Sequence, residues 1–255
     1  MEKLLEVCVD SYASAMAAIQ GGADRLELCS ALSVGGLTPS AALVHQIRLV
    51  SDIRVRCLMR PRAGDFLYTK EEISQMVLEM EALKAAGTSG FVIGCLTPEG
   101  ELDVDALRPI YAAARAAAKA AGHPVVCTLH RAFDVCKDPF AALEAAKALN
   151  LGTILTSGQA ASAPAGASLL RRLVEAAGPG LEILVGAGVT PANLPALAAE
   201  TGAHAFHMSG KQVLDSRMTF RREGVPMGLP GFSEFEVWQT SEETIRAARR
   251  VLNEL

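Results

Sequence analysis

Short apolar runs alternate along the chain with longer stretches in which apolar residues recur at helical spacing. Eight of the runs have the length and composition of buried strands, and a helical pattern follows each of them. The predicted strands lie at residues 4–10, 25–29, 54–60, 90–95, 125–131, 153–158, 181–188 and 205–210. The predicted helices lie at about 11–20, 39–51, 70–86, 103–121, 138–149, 166–177, 191–200 and 241–253.

Eight strand–helix units in 255 residues predict an α/β fold, a single (β/α)8 TIM barrel, because such barrels commonly use about 250 residues. No change of composition separates two halves, so we expect one domain over residues 1–255. The competing architecture is an open, doubly wound sheet. That sheet would leave apolar edge strands, and a glycine-rich turn usually follows its first strand, where this chain has Asp10, Ser11 and Tyr12.

One segment, at about residues 211–240, falls outside the repeat and predicts an inserted arm between the last strand and the last helix. Its glycine, proline and aromatic content is typical of a partly ordered active-site lid or oligomer contact. Phe232, Phe235 and Trp238 lie in it, outside the barrel repeat. Exposed aromatic residues favour a contact, and a homodimer is the simplest closed assembly. A floppy surface loop is the alternative.

Charge and hydropathy exclude several kinds of partner. The formal net charge is −4 and no basic stripe is present, so we do not expect nucleic-acid binding. No apolar run approaches 18 residues, and Glu2, Lys3, Glu6 and Asp10 interrupt the N-terminus where a signal peptide would be apolar. We therefore expect a cytoplasmic protein without a membrane segment. The six cysteines have no short spacing and are predicted to be reduced, mostly buried thiols.

Polar residues interrupt the predicted strands near their C-terminal ends, where TIM barrels carry their sites. The alternation of side chains places Glu6, Glu27, Arg60, His130 and His207 on inward faces. A buried carboxylate requires a cation or donors, so we predict a Glu27–Arg60 pair at the mouth. The turns after these strands add further candidates for ligand binding: Arg62, Asp65, Arg131 and Asp134. A catalytic or ligand site is one interpretation, and a buried ion-pair network that closes the barrel is the other.

Small residues end the last three strands. Their backbone N–H groups, together with a predicted helix start at residue 191, favour a cradle for phosphate or another anion. The candidate cradle consists of Ser157, Gly158, Gly186, Gly188, Ser209, Gly210 and Lys211. Glycine at a strand end also permits a tight turn, which is the alternative reason for this pattern.

Several of these segments resemble the motifs of one known family. They are EVCVDS (6–11), GGADRLELC (21–29), GGLTPS (35–40), RPRAGDF (60–66), LTPEGELD (96–103), HRAFD (130–134), ILTSG (154–158) and FHMSG (206–210). Together, in this order, they resemble the CutC family. The resemblance implies a single TIM barrel, a cytoplasmic location and a role in copper homeostasis. It implies that the pocket positions are Glu6, Glu27, Arg60, Arg62, Asp65, His130, Arg131, Asp134 and His207. The sequence departs from the family where Ala187 stands between two glycines.

If the implied role rests on direct binding, copper(I) is the ligand to consider. Copper(I) is soft and prefers thiolates, with imidazole as support. Cys8 and Cys29 lie on the inward faces of neighbouring strands, which are about 4.8 Å apart, and are the candidate metal ligands. Cys57 and Cys127 have the opposite parity and are expected under the helices. The sequence has no CxxC motif or His/Met-rich tract of the kind that copper carriers ordinarily show.

Two other functions are compatible with the same residues. The first is an enzyme acting on a small anionic or phosphorylated metabolite. His130 or a glutamate would be its general acid or base, and Arg60 would hold a carboxylate or oxyanion. The loops after the last three strands would hold the phosphate. The second is a metabolite sensor or scaffold that acts through the arm at 211–240.

Overall fold

The computed structural model describes residues 3–121, 126–225, 227, 231 and 233–255. Eight parallel strands form a closed barrel in which each strand pairs with the next and the eighth pairs with the first. They are β1 (Leu4–Val9), β2 (Arg25–Leu28), β3 (Arg54–Leu58), β4 (Gly90–Ile93), β5 (Val126–Leu129), β6 (Thr153–Thr156), β7 (Glu182–Val185) and β8 (Ala205–Met208). The predicted TIM barrel is confirmed.

One helix follows each barrel strand and packs outside the sheet. The helices are α1 (Tyr12–Gln20), α2 (Ala41–Arg48), α3 (Lys70–Ala85), α4 (Val104–Ala121), α5 (Pro139–Ala148), α6 (Ala167–Ala177), α7 (Leu194–Thr201) and α8 (Glu242–Asn253). Local chemistry sets where some of them begin: Thr69 and Glu72 form a reciprocal capping box at α3, and Asp138 caps α5 just before Pro139. Within the described residues, no helix combines the length and the apolarity needed to cross a bilayer.

The helix α7 begins at Leu194, later than the predicted start at residue 191. The cause is local. The Thr190 N–H donates to Asn193 Oδ1 at 2.8 Å, and the Asn193 N–H donates to Thr190 Oγ1 at 3.3 Å. Such side-chain bonds give the backbone an alternative to the helix. The N-terminus of α7 therefore lies farther along the chain from Gly188 than the sequence pattern indicated.

The two faces of the barrel strands have opposite character. Outward residues such as Leu5 and Val7 are fully buried in the large apolar layer between barrel and helices, and Cys57 and Cys127 belong to this layer, as strand parity predicted. The barrel interior is mixed instead. It has two small apolar clusters, formed by Cys29, Leu58 and Val92 and by Leu155, Leu184 and Ala205. Between them lie buried charged residues.

The segment after β8 contains a two-stranded antiparallel ribbon. Its strands are β9 (Lys211–Asp215) and β10 (Glu236–Thr240), and the Thr240 N–H donates to Ser14 Oγ at 3.1 Å, which ties the ribbon to α1. Trp238 and Phe235 are partly covered, because Lys211 and Arg221 lie over their rings. Exposed apolar area on the ribbon comes from aliphatic residues such as Val213, which is 51% exposed. Phe232 lies outside the described residues.

Candidate functional site

A hydrogen-bonded set of titratable side chains lies inside the barrel where β1, β2 and β8 meet. His207 Nδ1 is 2.8 Å from Glu6 Oε1, and His207 Nε2 is 3.7 Å from Glu27 Oε2. The parallel register explains this placement, since Glu6 lies beside His207 on β8 and Cys8 lies beside Glu27 on β2. Glu6 is only 1% exposed. One imidazole therefore connects two buried carboxyl groups.

The surroundings shift the pKa values of these three groups in different directions. Burial alone would raise the pKa of Glu6, but the Arg25 guanidinium and the hydrogen bond from His207 lower it well below the usual range. Burial raises the pKa of Glu27, which has no arginine in hydrogen-bond contact. Burial opposes the charged form of His207, but the facing Cys8, Glu27 and Glu6 raise its pKa well above the usual value. These directions favour the charged forms of Glu6 and His207, which are bonded to each other.

The predicted pair between Glu27 and Arg60 is not formed, and that prediction was wrong. Glu27 lies opposite Arg56, so Arg60 is four residues farther along β3 and its extension, roughly 13 Å of strand rise. Arg60 is still buried. Its guanidinium donates to the carbonyl oxygens of Val34 at 3.2 Å, Gly36 at 3.1 Å and Gly64 at 2.8 Å. It therefore binds the loop after β2 to the loop after β3.

The cation that neutralises Glu6 is Arg25, a residue that the sequence reading did not select. Arg25 Nε donates to Glu6, and its Nη2 donates to Glu182 at 3.0 Å. Arg56 extends this layer by donating to Thr128 at 2.8 Å and to Thr153 at 3.1 Å. Strand parity did place Arg25 and Arg56 inward, but parity does not say at which height along the barrel an inward residue lies. The ion-pair network proposed as the alternative interpretation exists, one layer below the mouth.

His130 is buried beside the mouth as a neutral imidazole. Burial, with Arg60 nearby, lowers the pKa of His130 to about 3. Its Nδ1 accepts a hydrogen bond from the Ala132 N–H at 3.1 Å, so Nε2 carries the proton. Within the described part of the chain this buried Nε2–H has no partner. The Phe66 ring lies 4.9 Å away, centroid to centroid.

The loop after β6 does not form the predicted anion cradle, because its N–H groups are bonded within the protein. Asp134 accepts from the N–H groups of Ser157 at 3.0 Å and Gln159 at 3.2 Å, and from Ser157 Oγ at 2.9 Å. The Gly158 N–H donates to Thr156 Oγ1 at 2.9 Å. Asp134 and Ser157 therefore hold this loop together and offer nothing further to a ligand.

The loops after β7 and β8 contain the other residues of the predicted cradle, and most of these residues line one cleft. The Gly186 N–H is used in a bond to the Thr156 carbonyl at 3.0 Å. Gly188, Ser209, Gly210 and Lys211 all line one cleft of about 420 Å³, whose opposite wall includes Arg131. Within the residues that the structure describes, this set is where the sequence-predicted anion ligands come together.

Two predicted binding residues lie away from the site. Arg62 donates from Nε to Glu72 at 2.6 Å and from Nη2 to the Leu67 carbonyl at 2.7 Å, at the start of α3. Asp65 is 2.9 Å from Arg62, and its side chain is 70% exposed. Neither residue lines a cavity at the barrel mouth. Their charged groups form bonds within the loop between β3 and α3 and at the start of α3.

Cys8, Glu27 and His207 form a cluster of potential metal ligands, with their donor atoms within 4.8 Å of one another. Cys8 is half-buried and reaches the mouth, whereas Cys29 is 1% exposed. The Cys29 thiol donates to Glu27 Oε2 at 3.7 Å, and burial together with that carboxylate raises its pKa well above the usual range. The cluster of potential ligands thus contains Cys8 and His207 but not Cys29, the partner predicted for Cys8.

Three adjoining cavities surround this cluster, and Cys8 lines all of them. One, of about 160 Å³, extends towards His130 and Arg60. Another, of about 200 Å³, lies under the ribbon against Trp238. The third is the cleft of about 420 Å³ between Arg131 and the loops after β7 and β8. The Cys8 thiol is therefore accessible from several sides of the mouth.

Comparison with known structures supports the fold beyond the sequence motifs. The crystal structure of CutC from Streptococcus agalactiae matches with a TM-score of 0.74 and 27% identity, over 81% of this chain and 98% of that one. A 2,3-dimethylmalate lyase matches with a TM-score of 0.58 and 18% identity, over 81% of this chain and 75% of that one. At that identity the second match shows a shared barrel only.

Comparison of sequences covers nearly the full chain. A protein named CutC from Chromobacterium violaceum is 43% identical over 99% of this chain and 99% of its own length. The copper homeostasis protein cutC homolog of Homo sapiens is 39% identical over 97% of this chain and 88% of its own length. The family model of CutC matches residues 3–212. The chain therefore belongs to the CutC family, whose named relatives point to a copper homeostasis protein.

Proposed function

We propose that this protein binds copper(I) at the barrel mouth, with Cys8 and His207 as its ligands, and handles the ion in the cytoplasm. The observation that carries the proposal is the cluster in which the donor atoms of Cys8, Glu27 and His207 lie within 4.8 Å of one another. The names of the relatives, which refer to copper homeostasis, suggest copper as the metal. All six cysteines are free, a state that a reducing compartment maintains.

The chemistry of the donor set fits a soft ion. A thiolate and an imidazole are ligands that copper(I) accepts, and Glu27 lies beside them as a carboxyl group of weaker affinity for it. His207 is oriented for this role, because its Nδ1 is bonded to Glu6 at 2.8 Å and its Nε2 is directed towards Glu27. A carboxylate on the remote nitrogen is the usual support of a metal-binding histidine. Metal binding requires the Nε2 proton to leave.

Cys29 is the secondary ligand in this proposal. Its thiol is bonded to Glu27 and packs against Leu58 and Val92. Burial and the adjacent carboxylate oppose its thiolate form, the form that binds a metal. Cys8 lies closer to His207 and borders the open cavities. We expect Cys8 to dominate the affinity and Cys29 to contribute less.

A competition titration with a copper(I) chelator under reducing conditions tests the proposal. Cys8→Ser should weaken copper(I) binding by about a hundredfold or more, because oxygen is a poor replacement for a soft thiolate. His207→Asn keeps a donor for Glu6 and removes Nε2, and should also weaken binding. Cys57→Ser is the matched control, since Cys57 is buried between β3 and the helices. Unchanged affinity in Cys8→Ser, or no competitive binding by the parent protein, would refute direct binding at this site.

A further inference from the structure

The cleft beside Cys8 is larger than a copper site needs. Its volume is about 420 Å³, whereas a water molecule in the liquid occupies roughly 30 Å³. It lies between Arg131 on one side and the loops after β7 and β8 on the other. A smaller cavity that leads to His130 shares Cys8, Arg131 and His207 with it. The volume and the lining of these joined cavities fit a small organic molecule.

Two cations border the cleft with part of their hydrogen-bonding capacity unused. Arg131 Nε is bonded to Asp134 at 2.7 Å and its Nη2 to Ser157 at 3.2 Å, while the side chain remains 46% exposed. The Lys211 ammonium lies 3.5 Å from the centre of the Trp238 ring, which restricts its position. Among the described residues, no carboxylate lies within 4.0 Å of Lys211. The rim of the cleft therefore carries the ammonium group of Lys211 and the half-exposed guanidinium of Arg131, whose charge is balanced by Asp134.

The backbone after β7 supplies donors to the same cleft. Ala187 and Gly188 have successive positive φ angles of 74° and 71°, and this conformation is unfavourable for alanine. The Ala187 carbonyl accepts from the Ala163 N–H at 2.8 Å, and the Gly188 carbonyl accepts from Asn193 Nδ2 at 2.9 Å. In a trans peptide the N–H points opposite to the C=O. The N–H groups of Gly188 and Val189 are thereby directed away from these contacts, and both residues line the cleft.

His130 gives an independent sign of a missing acceptor. Its Nε2–H is buried and has no partner in the described residues, and His130 as a whole is 4% exposed. A buried N–H without a partner is costly, so such groups in native proteins usually have a ligand or a water. His130 lines the smaller cavity, at the end remote from Lys211. An acceptor atom of a bound molecule would satisfy it.

We propose that the mouth of the barrel binds a small organic phosphate. The phosphate group lies in the cleft, on the N–H groups of Gly188 and Val189, with Lys211 and the half-exposed Arg131 donating to it. An oxygen of the organic part accepts the hydrogen bond from His130 Nε2. The site does not require copper, because none of these donors is a proposed copper ligand.

Isothermal titration of the metal-free protein at about pH 8, where both inorganic phosphate and phosphate monoesters are mostly dianionic, tests the phosphate end. Inorganic phosphate should bind saturably, and Arg131→Gln and Lys211→Gln should each weaken it by about tenfold, since each removes a charged donor. Arg171→Gln is the matched control, because Arg171 forms an exposed pair with Glu175 on α6. Absence of saturable binding by the parent, or equal binding by the double variant Arg131→Gln/Lys211→Gln, would overturn the proposal.

A second titration with phosphoglycolate, which joins a phosphate to a carboxylate, tests the other end. The parent should bind it more tightly than inorganic phosphate. His130→Asn keeps an acceptor for the Ala132 N–H but removes the Nε2 donor, so it should abolish this advantage and leave inorganic phosphate binding unchanged. Equal affinity of the parent and His130→Asn for phosphoglycolate would exclude His130 from the site. Because the protein carries no metal in either titration, failure of the copper proposal would not alter these results.

Discussion

The buried pair between Arg25 and Glu6 makes a quantitative prediction about stability. The side chains are 2% and 1% exposed, and Arg25 also bonds Glu182, whose side chain is 18% exposed. Arg25→Met removes the cation, keeps an apolar stem of similar length and leaves the Glu6 carboxylate buried without its main partner. Breaking such a pair costs about 3 to 5 kcal/mol. That is a large part of the roughly 5 to 15 kcal/mol by which most domains are stable.

Urea denaturation, followed by the circular dichroism of the helices, measures the free energy of unfolding of each variant. The double variant Arg25→Met/Glu6→Gln should recover much of the loss, because it removes the stranded charge. Arg171→Gln breaks an ion pair in which both side chains are more than 60% exposed, and it should change stability by less than about 1 kcal/mol. If Arg25→Met fails to fold, the double variant still decides, since a folded double variant supports the stranded-charge argument.

The pH dependence of the free energy of unfolding tests whether the unpaired Glu6 carboxylate causes the loss of stability in Arg25→Met. The pKa of Glu6 in the folded protein is lowered, so Glu6 adds stability above its unfolded pKa near 4.5, and this stability is lost as the pH falls below that value. The difference between the parent and Arg25→Met should therefore shrink in acid. A difference of less than about 1 kcal/mol at neutral pH, or a double variant less stable than Arg25→Met, would refute the argument.

Two further predictions concern His130 and the ribbon. The pKa of buried His130 is lowered to about 3, so below about pH 6.5 the unfolded chain gains a proton that the folded chain does not. The parent should lose about 2 kcal/mol relative to His130→Asn between about pH 6.5 and pH 5 in urea denaturation, and parallel pH profiles would contradict this. The ribbon exposes Val213 and Val237 by 51% and 48%, and Phe220, between its two strands in the chain, is 64% exposed, so we expect the arm at 211–240 to hold a homodimer. Replacing residues 216–235 by a short glycine linker should halve the mass seen by light scattering, and an unchanged mass would exclude that segment of the arm from the interface.

The period of two in a strand explains what the sequence could predict. It placed Glu6, Glu27 and His207 inside the barrel and Cys57 outside it, and the structure agrees on each. Period alone carries no information on the height of a residue along the barrel axis, which depends on the stagger between strands. For that reason Arg60 was a plausible partner for Glu27 in the sequence, although the register leaves it four residues beyond Arg56.

The anion cradle was predicted only in part, for a different reason. Glycine and serine at the ends of β6, β7 and β8 predict backbone N–H groups that are available to a ligand. Whether such an N–H group remains without a hydrogen bond inside the protein depends on residues that are distant in the sequence. Asp134, from the turn after β5, bonds the N–H groups after β6. The turn after β7 has its carbonyls bonded instead, by the Ala163 N–H and the Asn193 side chain. The two loops have similar compositions. They differ in which of their backbone groups are hydrogen-bonded by residues from elsewhere in the chain.

The layer around Arg25 has a consequence for the mouth above it. A buried carboxylate requires a nearby cation, because leaving it unpaired costs several kcal/mol. If Glu6 and Glu182 had no arginine in their own layer, the mouth cations would have to neutralise them. Arg25 bonds both. Of the mouth cations, Arg131 balances only Asp134, and among the described residues Lys211 has no carboxylate within 4.0 Å, so Lys211 is the cation left to bind a charged ligand from solution. The absence of the predicted Glu27–Arg60 pair and the availability of Lys211 at the mouth therefore both follow from the pairing of Arg25 with Glu6 and Glu182.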